Sequence, residues 1–172
     1  MNKINLLLKD YPQFKKQSLL FDNISEALGC DIAKASELAR THCNLVSFWA
    51  ILFSSGNYKS SYAKFFKWML EENYCDTRGY ILTDKKNVLD KLLIDSTLET
   101  YRDFKDIVNP FRLNPEKYYQ IKIKGDTEGF HFMACYLEDG ILYGSDTSYR
   151  GNPFKLLDKV TQKNFVKITE VC

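Results

Sequence analysis

Three residues in this chain have the types and spacing to carry chemistry: Cys43, His131 and Asp146. The last two bracket the stretch FHFMACYLEDGILYGSD at 130–146. Two apolar runs there are split by Asp139-Gly140, the pairing that supplies the positive φ values of a tight hairpin turn. If those two form the loop, Glu138 pairs with Ile141, Met133 lies opposite Asp146, and His131 is one diagonal step away on the same face. If the loop is Glu138-Asp139, His131 and Asp146 are directly opposite. Either register puts imidazole and carboxylate within reach of each other, whereas a three-residue loop would separate them. A carboxylate beside a histidine fixes the tautomer and supports the imidazolium, so the ring can serve a nucleophile as base.

The nucleophile this pair needs is a thiol at a helix start. A helix N-terminus and a nearby imidazolium both favour the thiolate. Cys43 is placed where THC runs into NLVSFWAILF, a segment apolar nearly all round and therefore expected to be a buried central helix. Packed on a sheet, that helix would aim the sulfur at the sheet's end. Cys30, in GCDIAKAS, is the rival, but the helix after it is polar and Ala-rich, as suits a surface element. His42 is the weaker base, because adjacent helical residues point apart. Each residue alone has a plain structural role to set against this reading: a small residue packed at a helix start, a histidine hydrogen-bonded at a strand end. Their coincidence favours function.

The elements that must position these groups change character along the chain. Residues 22–29 and 31–40 form two short helices, the first stopped at Gly29 and the second opened by Asp31. The pair has the outline of a helix-turn-helix, yet Asp22, Glu26, Asp31 and Glu37 outnumber Lys34 and Arg40, which removes the basic face DNA reading needs. Residues 60–74 carry Tyr62, Phe65, Phe66, Met69 and Leu70 on one helical face. A short strand is expected at 78–82, a helix at 86–93, and mostly irregular chain at 94–117, which holds Asn109-Pro110 and Asn114-Pro115. From 118 the period changes to two, with strands at 118–124, 129–137, 141–146 and 164–171. Helices followed by an antiparallel sheet make an α+β fold, read here as one domain over 1–172, with a helical lead-in at 1–40 and a core at 41–172.

Composition sets the outer bounds. The chain is 172 residues long, 45% hydrophobic and 27% charged with a net charge of +2, ordinary for a globular protein and without a nucleic-acid footprint. No apolar run reaches membrane-spanning length, and the apolar segment of MNKINLLLKD is too short for a signal peptide, so a cytoplasmic protein is expected. Five cysteines, odd in number and without a CxxC, fit reduced thiols rather than disulfides or a zinc site, and no cofactor or metal is implied.

The order Cys at a central helix start, then His opening a strand, then Asp closing the next resembles the papain-like cysteine peptidases. It is most similar in size to the small bacterial C39-like and NlpC/P60-like domains, and more loosely to uncharacterised spirochaete proteins with a Cys-headed apolar helix and a late HF strand. The likeness covers roughly 41–150. It implies a papain-like fold, with Cys43 as nucleophile, His131 as general base and acid, Asp146 as orienting residue, and a peptide or peptide-like substrate. The family usually has a Gln a few residues before the nucleophile, contributing to the oxyanion hole. SELARTH contains none, and Gln13 and Gln17 fall outside the spacing. Loss of one oxyanion donor costs about 10²–10³ in rate. Three alternatives follow: a substitute donor, a slow enzyme, or a catalytically inactive papain-like domain used for binding. Beyond the family stands a plain α+β interaction protein in which the three residues meet by chance.

Overall fold

YYQIKIK and the apolar run of FHFMACYLE build the centre of a sheet, because each β-branched or aromatic side chain finds a partner directly across the ladder. The structure, a computed structural model, describes residues 17–125, 129–146 and 153–172. In chain order the elements are α1 (Gln17–Leu28), α2 (Ile32–Ala39), α3 (Cys43–Ser54), α4 (Tyr62–Glu71), α5 (Lys85–Lys91), β1 (Thr100–Tyr101), α6 (Lys105–Val108), β2 (Tyr118–Lys124), β3 (Phe130–Glu138), β4 (Ile141–Ser145), β5 (Phe154–Lys155) and β6 (Phe165–Glu170). The strands form one antiparallel sheet in the order β1-β6-β2-β3-β4-β5. Helices precede the main strands, as the change of period predicts, and the fold is α+β.

Local chemistry sets the helix limits. Gly29 takes a φ of 65° and ends α1. Asp31 accepts from the Lys34 amide at 2.8 Å and Asp84 from the Lys86 amide at 2.9 Å, capping α2 and α5. Residues 78–82 do not form the expected strand. Gly79 at a φ of 74° turns the chain, and only an isolated bridge between Cys75 and Ile81 remains. The two-residue strands β1 and β5 are additions the sequence pattern did not announce.

The sheet is buried on both faces. Alternation sends Tyr118, Ala134 and Tyr136 toward the helices, where they join Phe48, Trp49, Phe65 and Phe66 in one core. It sends Tyr119, Ile121, Met133 and Cys135 to the other face, under Ile107, Leu156 and Val160 in a second. α3 lies in the first core with Leu45 through Leu52 buried, so its apolar circumference is accounted for by neighbours on every side. Trp49 is fully buried and donates its indole N–H to the Ser60 carbonyl at 3.0 Å. Among the described residues, no helix is long and apolar enough to cross a membrane.

Candidate functional site

The β3–β4 hairpin turns on Asp139 (φ 50°) and Gly140 (φ 74°), the two-residue loop, with Glu138 opposite Ile141 and Ala134 opposite Ser145. Of the registers open at the sequence level, this is the first. One rung further, the frame carries Asp146 alongside Met133, diagonal to His131. His131 Nε2 bonds Asp146 Oδ2 at 2.8 Å. The carboxylate accepts, so Nε2 carries a proton and the other ring nitrogen is left for a second partner.

Cys43 is the neighbour on that side: its sulfur lies close enough to the His131 ring to act on it electrostatically. Cys43 opens α3, and His131 and Asp146 lie at one end of the β3–β4 ladder. The three line one cavity of about 510 Å³ together with Arg40, Lys124 and Lys159. Asp146 is 3% exposed and also has the Lys159 ammonium at 3.8 Å, while His131 keeps 27% of its side chain exposed. Burial disfavours the imidazolium, but the Asp146 hydrogen bond and the Cys43 sulfur outweigh it, and the His131 pKa is pushed up to about 10. The ring thus stands beside an anionic oxygen and a sulfur, both of which favour its protonated form.

The start of α3 is tied to the sheet by polar bonds that sequence reading missed. Gln120 on β2, 3% exposed, donates Nε2 to Ser47 Oγ at 2.6 Å and to the Asn44 carbonyl at 2.9 Å. Ser47 Oγ in turn donates to the Cys43 carbonyl at 2.6 Å. Lys85 Nζ donates to Asn44 Oδ1 at 2.8 Å and also to Gln120 Oε1. The available signal was a glutamine on the Tyr118 face of β2. A two-residue period alone makes that face look solvated, and α3 covers it.

The other sequence candidates take structural places. Cys30 follows α1 and packs against the helical core, away from the cavity that holds His131. His42 is fully buried, with Nδ1 at 2.6 Å from Tyr62 Oη and Nε2 at 3.3 Å from the Thr77 carbonyl. A carbonyl only accepts, so Nε2 bears the hydrogen, and the Tyr62 hydroxyl donates to Nδ1. Burial holds the ring neutral, with a pKa lowered to about 4. All five cysteines are free thiols. Among the described residues, no group of three or more His, Cys, Asp or Glu is arranged to hold a metal ion. Compared with protein-family models, curated proteins and solved structures, the chain matches none.

Proposed function

We propose that this protein is a papain-like cysteine hydrolase that cleaves an amide or peptide bond. The observation that carries the reading is the single imidazole bonded to Asp146 through Nε2, with the Cys43 sulfur beside it in the same cavity. In the charge-separated state Sγ attacks the carbonyl carbon. The developing oxyanion is met by the partnerless N–H groups of α3's first turn. His131 gives its proton to the leaving nitrogen, the C–N bond breaks, and a thioester remains on Cys43. Water then loses a proton to His131 as its oxygen attacks the thioester, the C–S bond breaks, and that proton is available to the sulfur again. Asp146 keeps the ring oriented throughout and balances its charge.

The missing Gln before Cys43 is not made good by Gln120, whose amide N–H groups are spent on Asn44 and Ser47. This favours a slow enzyme, or the second reading of an inactive domain used for binding. Thiol reactivity separates them. Iodoacetamide at about pH 6 is expected to label Cys43 first, since ordinary thiols stay protonated there. Burial pushes Cys75 up to about 12 and raises Cys135 and Cys172 as well, which silences those three. His131→Ala should slow labelling sharply and Asp146→Asn less, as followed by peptide mapping. Fast reaction at Cys30 with Cys43 untouched would transfer the role. If no thiol reacts below about pH 8, the binding-domain reading replaces the enzyme.

A further inference from the structure

Beside the Cys43 cavity is a larger one, of about 830 Å³, that the three-residue device does not use. Its wall contains an arrangement that costs free energy as it stands. Lys122 on β2 and Lys167 on β6 are directly cross-strand partners, and like charges at that position repel. Lys85 comes from α5 to the same cavity and feels both of them. Among the described residues, no carboxylate lies within ion-pair distance of any of the three ammonium groups. Lys86, a fourth lysine on the rim, is paired with Asp90 at 2.9 Å. Two carboxylates also line the cavity: Asp84 caps α5 and partly offsets the other lysines at Lys85, and Asp95 is exposed. The Thr83 hydroxyl supplies a further donor, whereas Thr100 is spent on the Leu98 carbonyl and Thr169 on Thr100.

Lys122 and Lys85 are held in place rather than splayed into water. Lys122 Nζ stands 3.7 Å above the Phe130 ring, and Lys85 Nζ lies 5.3 Å from the centre of Phe132. Lys85 is further fixed by Asn44 and Gln120, and burial together with Lys167 and Lys122 brings its pKa down to about 7. A preorganised convergence of basic groups, none of them in an ion pair among the described residues, is the electrostatic form of an anion site, and a bound anion would draw Lys85 into its charged form. The size suits a stretch of peptide rather than a lone small ion.

We propose that this cavity binds an acidic peptide segment through Lys85, Lys122 and Lys167. On the hydrolase reading, on which this part rests, the segment is the acyl side of the substrate. His131 must give its proton to the leaving nitrogen, so the leaving group occupies the His131 cavity. The acyl part then extends the other way across α3's first turn, past Asn44, which lines the lysine cavity.

The test uses the full chain labelled with ¹⁵N and three peptides, acetyl-Ala-Glu-Glu-amide and its Gln-Gln and Lys-Lys counterparts, titrated by NMR. The Glu peptide is expected to bind about tenfold tighter than the Gln peptide, with the Lys peptide weakest. Raising salt from about 0.02 M to about 0.5 M should shrink that ratio. In Lys122→Gln/Lys167→Gln the ratio should fall toward one. Because it compares two ligands on one protein, partial loss of folded variant does not alter it, and the salt series on the unaltered protein stands apart from folding altogether. Equal binding of Glu and Gln peptides, or a preference that survives the double substitution, overturns the proposal. The matching peptidyl chloromethyl ketones, whose chloride a thiolate displaces, locate the segment relative to Cys43. Selective peptide binding with no alkylation at Cys43 leaves the acidic-peptide cavity standing and removes the hydrolase reading. Alkylation at equal rates by all three reagents does the reverse.

Discussion

His42 should make folding stability depend on acid in a way that can be calculated. Its ring is fully buried, its Nε2 hydrogen is committed to the Thr77 carbonyl, and its Nδ1 is an acceptor that would become a donor aimed at a hydroxyl already donating. The folded pKa is lowered from 6.5 to about 4, through burial first, with the Thr77 bond and Asp76 opposing. A folded pKa below the unfolded one means that the unfolded chain binds the extra proton. Stability from this group is therefore full above about pH 6.5 and is lost as pH falls toward 4. A shift of about 2.5 units at 1.36 kcal/mol each amounts to about 3 kcal/mol by pH 4. The assay is urea unfolding of the wild type and of His42→Gln at a series of pH values. Gln should be less stable at neutral pH, since it loses ring contacts with Phe66 and Tyr62. The gap should then close by about 3 kcal/mol between pH 7 and 4, because the variant has nothing to protonate there. A gap that stays constant across that range would falsify the neutral, buried assignment of His42.

Three further outcomes are open to measurement. Gly79→Ala should be destabilising by about 1–3 kcal/mol in urea midpoints, because the position has a φ of 74° and a Cβ there would meet the His42 ring at 2.8 Å. Trp49→Ala should cost about 3–5 kcal/mol, and a loss under 1 kcal/mol would mean that the helix core relaxes around the cavity. For Asp146→Asn the sign is opposite to that of His42. The His131 pKa is raised, so the stability its pairing supplies is present below about pH 6.5 and lost as pH rises through about 10, and the wild-type advantage should shrink toward alkaline pH.

Much of this arrangement was readable from spacing. The Asp139-Gly140 turn allowed only a few registers, and one of them sets His131 beside Asp146. The apolar circumference of 44–53 required burial, which brought the start of α3 to the sheet. Asp31 and Gly29 marked helix limits correctly because capping is a local matter. What stayed hidden depends on contacts distant in sequence. Gln120 meets Asn44 across 76 residues, and Lys122 faces Lys167 on a strand that β1 and β2 enclose. Alternation reports that two sides differ but not that both are covered, so the polar members of YYQIKIK read as solvated when Gln120 is buried. Residues 78–82 failed as a strand because Gly79 takes a conformation that bends the chain, which an apolar run cannot announce.

The polar ties at the head of α3 bear on a degeneracy that an all-round apolar helix otherwise has. Such a helix can turn about its axis, or slide by part of a turn, and still meet hydrocarbon on every side. Gln120, Ser47 and Lys85 end that freedom, since only one setting lets all their hydrogen bonds form together. Directional bonds are a weak source of net stability but a strong source of uniqueness. Apolar replacement of Gln120, Ser47 and Lys85 together would therefore change net stability little while loosening the angular position of the helix. The sulfur at its first residue would then point in several directions instead of at one imidazole. Robustness of the fold and alignment of the thiol are in this sense separately encoded, and drift in the second would pass unnoticed in any measurement of the first.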